Sequence, residues 1–176
     1  MSNLREYLVQ KREALLAKRA AAAAKTPDPL QISASVRAEG RSGIRRIRIR
    51  DYQIITDSPA DFAGYGLGPT APELQLGALG SCLAHSFLIQ AADHQTPIDV
   101  LEVVVAAEID ARAGQPGYPD ITVHPRQIRY TLHVESPVSA GEIATLQAAM
   151  ENACPILSLL RNPHEISGSV QLSSPA

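Results

Sequence analysis

The segment from Thr70 to Asp93 has the sequence features of one long, buried helix. Thr70 and Glu73 occupy capping-box positions, and Pro72 lies in the first turn, where a missing N–H is tolerated. The residues that follow are mostly apolar and rich in glycine and alanine, which allow another backbone to approach closely. This helix is therefore predicted to be the centre of the fold.

The segments on either side of the central helix predict further strands and helices. Alternating apolar and polar residues predict strands at 31–39, 44–50 and 52–56, then at 101–109 and 128–135. A second capping box predicts a helix over 139–153, and a last strand is expected at 165–172. This order predicts an α+β domain with helices packed against antiparallel sheets.

The N-terminus differs in composition from the rest of the chain. Residues 1–25 contain six basic and two acidic side chains, a charge of 6 − 2 = +4, which leaves 10 − 16 = −6 for the remainder. Apolar residues at helical spacing predict an amphipathic helix over 3–24, whose stripe covers either the domain body or a second subunit. We divide the chain into an appended helix and linker, 1–30, and a domain, 31–176.

Composition excludes several classes of protein. A chain of 176 residues fits one globular domain, and a net charge of −2 argues against nucleic-acid binding. Charged residues interrupt the apolar part of the N-terminal helix, which argues against a secretory signal peptide. No uninterrupted apolar run reaches the length of a membrane span. These features indicate a cytoplasmic protein with no membrane contact. The five histidines and two cysteines lack metal-ligand spacing, so no metal site is expected.

Both cysteines occupy positions at which a thiol can be reactive. Cys82 lies on the central helix with His85 one turn later, and a protonated His85 would favour the thiolate. Cys154 precedes Pro155, so it is expected to end one helix and cap the next, facing unpaired N–H groups. Each cysteine also fits the ordinary alternative of a small, buried apolar residue.

The strand over 44–50 places arginines on alternate positions. Arg46, Arg48 and Arg50 alternate with isoleucines, so one face of the strand is strongly basic. This face is either solvated or directs one arginine into a cleft.

The segment from Gly68 to Cys82, GPTAPELQLGALGSC, closely resembles the signature of the OsmC/Ohr family, the osmotically inducible and organic hydroperoxide resistance proteins. The Cys154-Pro155 pair resembles the family's second cysteine, and the resemblance covers about residues 31–172. It implies an intertwined homodimer whose long central helices are backed by antiparallel sheets. Arg41 resembles the arginine of the hydroperoxidases' Gly-Arg-x-Gly turn, whereas Arg50 resembles an arginine of a less characterised branch.

The resemblance implies a thiol-dependent peroxidase of the antioxidant stress response. Cys82 would be the peroxidatic thiolate and Cys154 the resolving thiol, with Glu73 and Arg41 or Arg50 completing the site. The chain departs from the pattern of the less characterised branch at two places. Ser58 replaces a glutamate of that branch, and Ala63-Gly64 replaces a pair of glycines.

The chemistry requires no metal or organic cofactor. A thiolate attacks a peroxide oxygen, the sulfenic acid condenses with a second thiol, and an external dithiol reduces the disulfide. On a straight helix Glu73 and Cys82 lie about 13 Å and half a turn apart, so Glu73 would act through an arginine or from the preceding loop. The alternative function is a non-catalytic, OsmC-like small-molecule-binding or stress-response protein.

Overall fold

The computed structural model describes residues 4–40 and 43–173. The helices are α1 (Leu4–Ala24), α2 (Ala71–Asp93), α3 (Ala140–Ala153) and α4 (Pro155–Arg161). The strands are β1 (Ser35–Glu39), β2 (Ile44–Ile49), β3 (Tyr52–Thr56), β4 (Val100–Glu108) and β5 (Arg126–Glu135). The predicted α+β class with antiparallel sheets is confirmed.

The strands form two separate antiparallel sheets. β1, β2 and β3 are neighbours in chain order, whereas β4 pairs with β5 and its register shifts between Ala106 and Glu108. The register of the three-stranded sheet places Val36, Ile47 and Ile54 side by side on one face. Arg37, Arg46 and Ile55 form a row on the other, more basic face.

Helix α2 forms the centre of the core. It packs against α1, β4, α3 and α4, and Leu79, Leu83 and Phe87 are its largest fully buried side chains. Gly80 allows the close approach of β4, because an added Cβ would lie 3.2 Å from Val105 Cγ2. The predicted central helix and its capping box are both present.

By length and hydropathy alone, α2 could cross a membrane, and among the described residues α3 and α4, bent by 68° at the break between them, pass the same test only as a pair. The core helix of a globular domain meets the same criteria, and α2 has this role here because four other elements pack on it.

Helix α1 packs along α2 and does not project from the domain. Leu8 is buried within the core, and bidentate ion pairs join Arg5 to Asp99 and Arg19 to Asp93. Part of the apolar stripe predicted for this helix therefore packs on the body of the domain within a single chain. Exposed ion pairs of this kind contribute little stability, so burial of Leu8 is the larger effect.

The last predicted strand is absent. Residues 165–172 have no regular structure, and Ile166, Val170 and Leu172 are more than nine-tenths exposed. A strand needs a neighbouring edge for its hydrogen bonds, and no described strand pairs with this segment. The first strand is shorter than expected and begins at Ser35.

Candidate active site

The two cysteines lie together between α2 and the junction of α3 with α4. Cys82 is half-buried on α2, and Cys154 is only 1% exposed. Cys154 ends α3 and caps α4 with an extended backbone, and Pro155 is the first residue of α4, as the sequence predicted. Two distant thiols therefore meet because the chain bends at the Cys-Pro pair.

Three groups near Cys82 influence the pKa of its thiol. The neighbouring Cys154 raises this pKa, and both cysteines are free thiols. Hydrogen bonding by the backbone N–H of Ile156, in the first turn of α4, and by the hydroxyl of Ser86, one turn further along α2, lowers it. Cys82 packs against the core cluster that contains Cys154.

Burial sets the protonation state of Cys82 in the reduced chain. Desolvation raises the pKa of the Cys82 thiol, and the neighbouring Cys154 raises it further. The hydrogen bonds from Ile156 and Ser86 oppose this effect because they stabilise the thiolate. Within a single described chain the thiol is therefore the favoured form, and a further positive group is needed to make it a thiolate at neutral pH.

His85 does not provide that positive group. Its imidazole Nδ1 lies 3.5 Å from the Lys11 ammonium of α1, and burial together with Lys11 and Lys18 lowers the pKa of His85. A histidine with a lowered pKa is neutral at pH 7, so the suggested stabilisation of the thiolate by His85 is not supported.

Glu73 caps α2. Its carboxylate accepts hydrogen bonds from the Thr70 backbone N–H at 2.7 Å and the Thr70 hydroxyl at 2.8 Å, and these bonds lower the pKa of Glu73. None of the described arginines forms an ion pair with it. Glu73 also lines a cavity of about 350 Å³ with Gly77, Ser81 and Val105, so it remains open to further contacts.

No arginine among the described residues acts on the Cys82 thiol within one chain. Arg50 lies in the turn between β2 and β3 with a left-handed backbone (φ 55°), and its guanidinium stacks 5.2 Å from the Tyr52 ring centre. Arg41 lies outside the described residues. On the basic face, Arg46 is paired with Glu39 and Gln53, which fits a solvated surface.

Arg45 has a role that the alternating pattern did not reveal. It lies on the apolar face of β2, opposite Ala38 and Thr56, and its guanidinium donates to the Ser58 hydroxyl and the Gly43 carbonyl. Side chains alternate along a strand, so Arg45 and Arg46 lie on opposite faces. The pattern of alternate arginines that begins at Arg46 therefore does not include Arg45.

Asp57 organises the loop that leads to α2. The carboxylate is fully buried and accepts hydrogen bonds from the backbone N–H groups of Ser58, Tyr65 and Leu67, which lower the pKa of Asp57. In the segment Asp57-Ser58-Pro59, the aspartate therefore holds the loop, whereas Ser58 takes the place of the branch's glutamate.

No group of histidine, cysteine, aspartate and glutamate side chains suitable for a metal ion occurs among residues 4–40 and 43–173. The two neighbouring free thiols described above offer thiol chemistry.

Several solved structures share this fold. An OsmC-like protein from Mycoplasma pneumoniae matches with a TM-score of 0.65 and 18% identity over 76% of this chain and 89% of that one. An organic hydroperoxide resistance protein OsmC from Legionella pneumophila matches with a TM-score of 0.55 and 14% identity, over 77% and 92%. OhrB, the organic hydroperoxide resistance protein of Bacillus subtilis, matches with a TM-score of 0.51 and 19% identity, over 75% and 91%.

No curated protein sequence gives a significant match. The sequence model of the OsmC-like proteins, however, matches residues 64–168, which is more than half of the chain and includes both cysteines and Glu73. The chain belongs to the family of OsmC-like proteins.

Proposed function

We propose that this OsmC-like protein is a thiol-dependent peroxidase that reduces organic hydroperoxides with Cys82 and Cys154. The observation that supports the proposal is that the two free cysteines are neighbours in the core, with Cys82 on α2 packed against the cluster that contains Cys154. Two similar structures are named as organic hydroperoxide resistance proteins, which favours the same substrate class.

The reaction runs in two steps on this chain. The Cys82 thiolate attacks the terminal oxygen of the hydroperoxide, the O–O bond breaks, and the alkoxide takes up a proton and leaves as an alcohol. The Cys154 sulfur then attacks the Cys82 sulfenic acid, a disulfide forms, and water leaves. An external dithiol returns the disulfide to two thiols and is itself oxidised to a disulfide.

A guanidinium beside Cys82 would stabilise both the thiolate and the developing alkoxide. We assign this role to Arg41 or Arg50, with Glu73 orienting the guanidinium through a carboxylate pair. A positive charge at this place would also counter the burial that raises the pKa of Cys82.

We further propose that the active protein is a homodimer and that the arginine reaches Cys82 from the second copy. Strands β1–β3 are not among the elements that pack closely on α2, and several of their apolar side chains are exposed, including Val36, Ile49 and Tyr52. A second copy of the chain would cover these side chains and place the three-stranded sheet beside the cysteine pair.

Hydroperoxide consumption by cysteine variants tests the peroxidase proposal. Stopped-flow mixing with tert-butyl or cumene hydroperoxide should show no consumption by Cys82→Ser, because the attacking sulfur is missing. Cys154→Ser should consume at most one equivalent before over-oxidation, because its sulfenic acid is not resolved. Thiol titration after each reaction measures which sulfur has reacted.

Full consumption by the Cys82→Ser protein would refute the assignment. If the unaltered protein keeps both thiols and consumes no hydroperoxide, the alternative of a non-catalytic, OsmC-like binding protein is supported instead.

A further inference from the structure

Three arginines of α1 lie on one face of the helix. Arg5, Arg12 and Arg19 follow one another at intervals of seven residues, which is close to two full helical turns. Arg5 forms a bidentate ion pair with Asp99, and Arg19 forms one with Asp93. The first and third arginines of this row therefore join α1 to acidic side chains of the domain body, and Arg12 lies between them.

Arg12 differs from these two because part of its guanidinium is buried without a hydrogen-bond partner. In the part of the chain that the structure describes, its Nη1 is the one buried side-chain nitrogen or oxygen that has no partner. Asp93 is close enough for its pKa to be lowered by the charge of Arg12, but both carboxylate oxygens accept hydrogen bonds from Arg19. A buried N–H of a charged group is costly without an acceptor, so an acceptor from outside the chain would be stabilising here.

Arg12 also lines a cavity between α1 and the C-terminal end of α2. The volume of this α1–α2 cavity is about 440 Å³, which lies within the range of small-molecule sites. Its walls are mainly apolar and come from both helices and the residues after α2, namely Leu8, Val9, Leu16, Ala91, Ala92 and Pro97. An apolar cavity lined by a side chain with a free, buried donor suits a ligand that has an apolar body and one acceptor group.

The charges around the α1–α2 cavity favour a ligand with a single negative charge. Arg5 lines the cavity as well, but Asp99 accepts hydrogen bonds from its guanidinium, so Arg12 supplies the free donor. Glu13 adds a negative charge to the cavity wall, which would repel a dianion such as a phosphate monoester. A carboxylate carries one charge and has the geometry that a guanidinium binds best.

We propose that the α1–α2 cavity binds an apolar monocarboxylate. The carboxylate accepts a hydrogen bond from Arg12 Nη1, and the apolar body packs against the walls. The cavity is separate from the cysteine pair, because Ala91 follows Cys82 by nine residues, about 13 Å along the axis of α2. The proposal therefore does not depend on the peroxidase function proposed above.

Isothermal titration calorimetry of the full chain with octanoate tests this proposal. One octanoate should bind per chain. Octan-1-ol, which lacks the charge, should bind about tenfold more weakly or worse, because a hydrogen bond between charged groups is lost. Acetate, which lacks the apolar body, should also bind at least about tenfold more weakly, because burial of the methylene groups is lost.

Three variants assign the binding to the cavity. Arg12→Gln should weaken octanoate binding by about tenfold or more, because the charged donor is removed. Val9→Glu adds a carboxylate to the wall at an exposed position and should weaken binding by repulsion. Lys25→Gln is the matched control, since it removes the same charge from an exposed residue that does not line the cavity, and should leave the affinity unchanged. Far-UV circular dichroism confirms that each variant is folded.

Saturable binding of octanoate that is weakened by Arg12→Gln and not by Lys25→Gln supports the proposal. Absence of saturable binding to the unaltered protein overturns it, as does an Arg12→Gln protein with unchanged affinity or equal binding of octan-1-ol. Cys82→Ser should bind octanoate as the unaltered protein does. The calorimetric result is therefore distinguishable from a failure of the peroxidase function, which is measured by hydroperoxide consumption.

Discussion

Gly64 and Gly68 shape the loop ahead of the central helix by leaving no room for a side chain. A Cβ at Gly64 would lie 1.9 Å from the Ser58 carbonyl oxygen, and one at Gly68 would lie 2.3 Å from that of Ile55. Such distances are far below van der Waals contact, and the obstructing atoms are backbone. The family's glycine pattern is therefore a packing requirement at Gly64, whereas Ala63 tolerates a left-handed backbone (φ 58°) that glycine adopts more easily.

Gly64→Ala should lower the free energy of unfolding by about 1–3 kcal/mol or more, because the loop has to move away from Ser58 to admit the methyl group. Urea denaturation followed by circular dichroism measures the change. Gly168→Ala, in an open and exposed segment, is the matched control and should stay within about 0.5 kcal/mol of the unaltered protein. Equal stability of the Gly64→Ala protein would contradict the close approach described here.

At the scale of elements, the helices were the most predictable part of the fold. Capping boxes at Thr70 and Ser139 fixed the starts of α2 and α3, and Pro155 fixed the break before α4, because each of these signals acts through the local backbone. The strand predicted at 165–172 is absent for the opposite reason. Strand formation depends on a partner elsewhere in the chain or in another chain, which the residues of one segment cannot supply.

The N-terminal helix is an element whose independence can be measured. Deletion of residues 1–25 removes Leu8 from the core and should cost about 1.5–3 kcal/mol of stability, or somewhat more with its ion pairs to Asp93 and Asp99. The remaining chain should still unfold cooperatively, since α2, α3 and the β4–β5 pair retain their mutual contacts.

Thermal unfolding and size-exclusion chromatography measure the effect of this deletion. We expect a lower melting temperature with the proposed dimer retained. Loss of cooperative unfolding, or loss of a dimer that the full chain forms, would show that α1 is an integral part of the domain or of its interface and not an appended segment.

For the whole molecule, local signals in the sequence predicted where each cysteine lies in the fold, Cys82 on the central helix and Cys154 at a Cys-Pro junction. Their pairing was implied only by the resemblance to the OsmC/Ohr family. The arginine could not be located in the same way, because β1–β3 are placed by tertiary or intersubunit packing.

Treatment of the reduced protein with one equivalent of cumene hydroperoxide, followed by peptide mapping under non-reducing conditions, tests the central claim most directly. The account predicts a Cys82–Cys154 disulfide within one chain, loss of both thiols and release of one equivalent of cumyl alcohol. Recovery of both thiols with the hydroperoxide intact would contradict it.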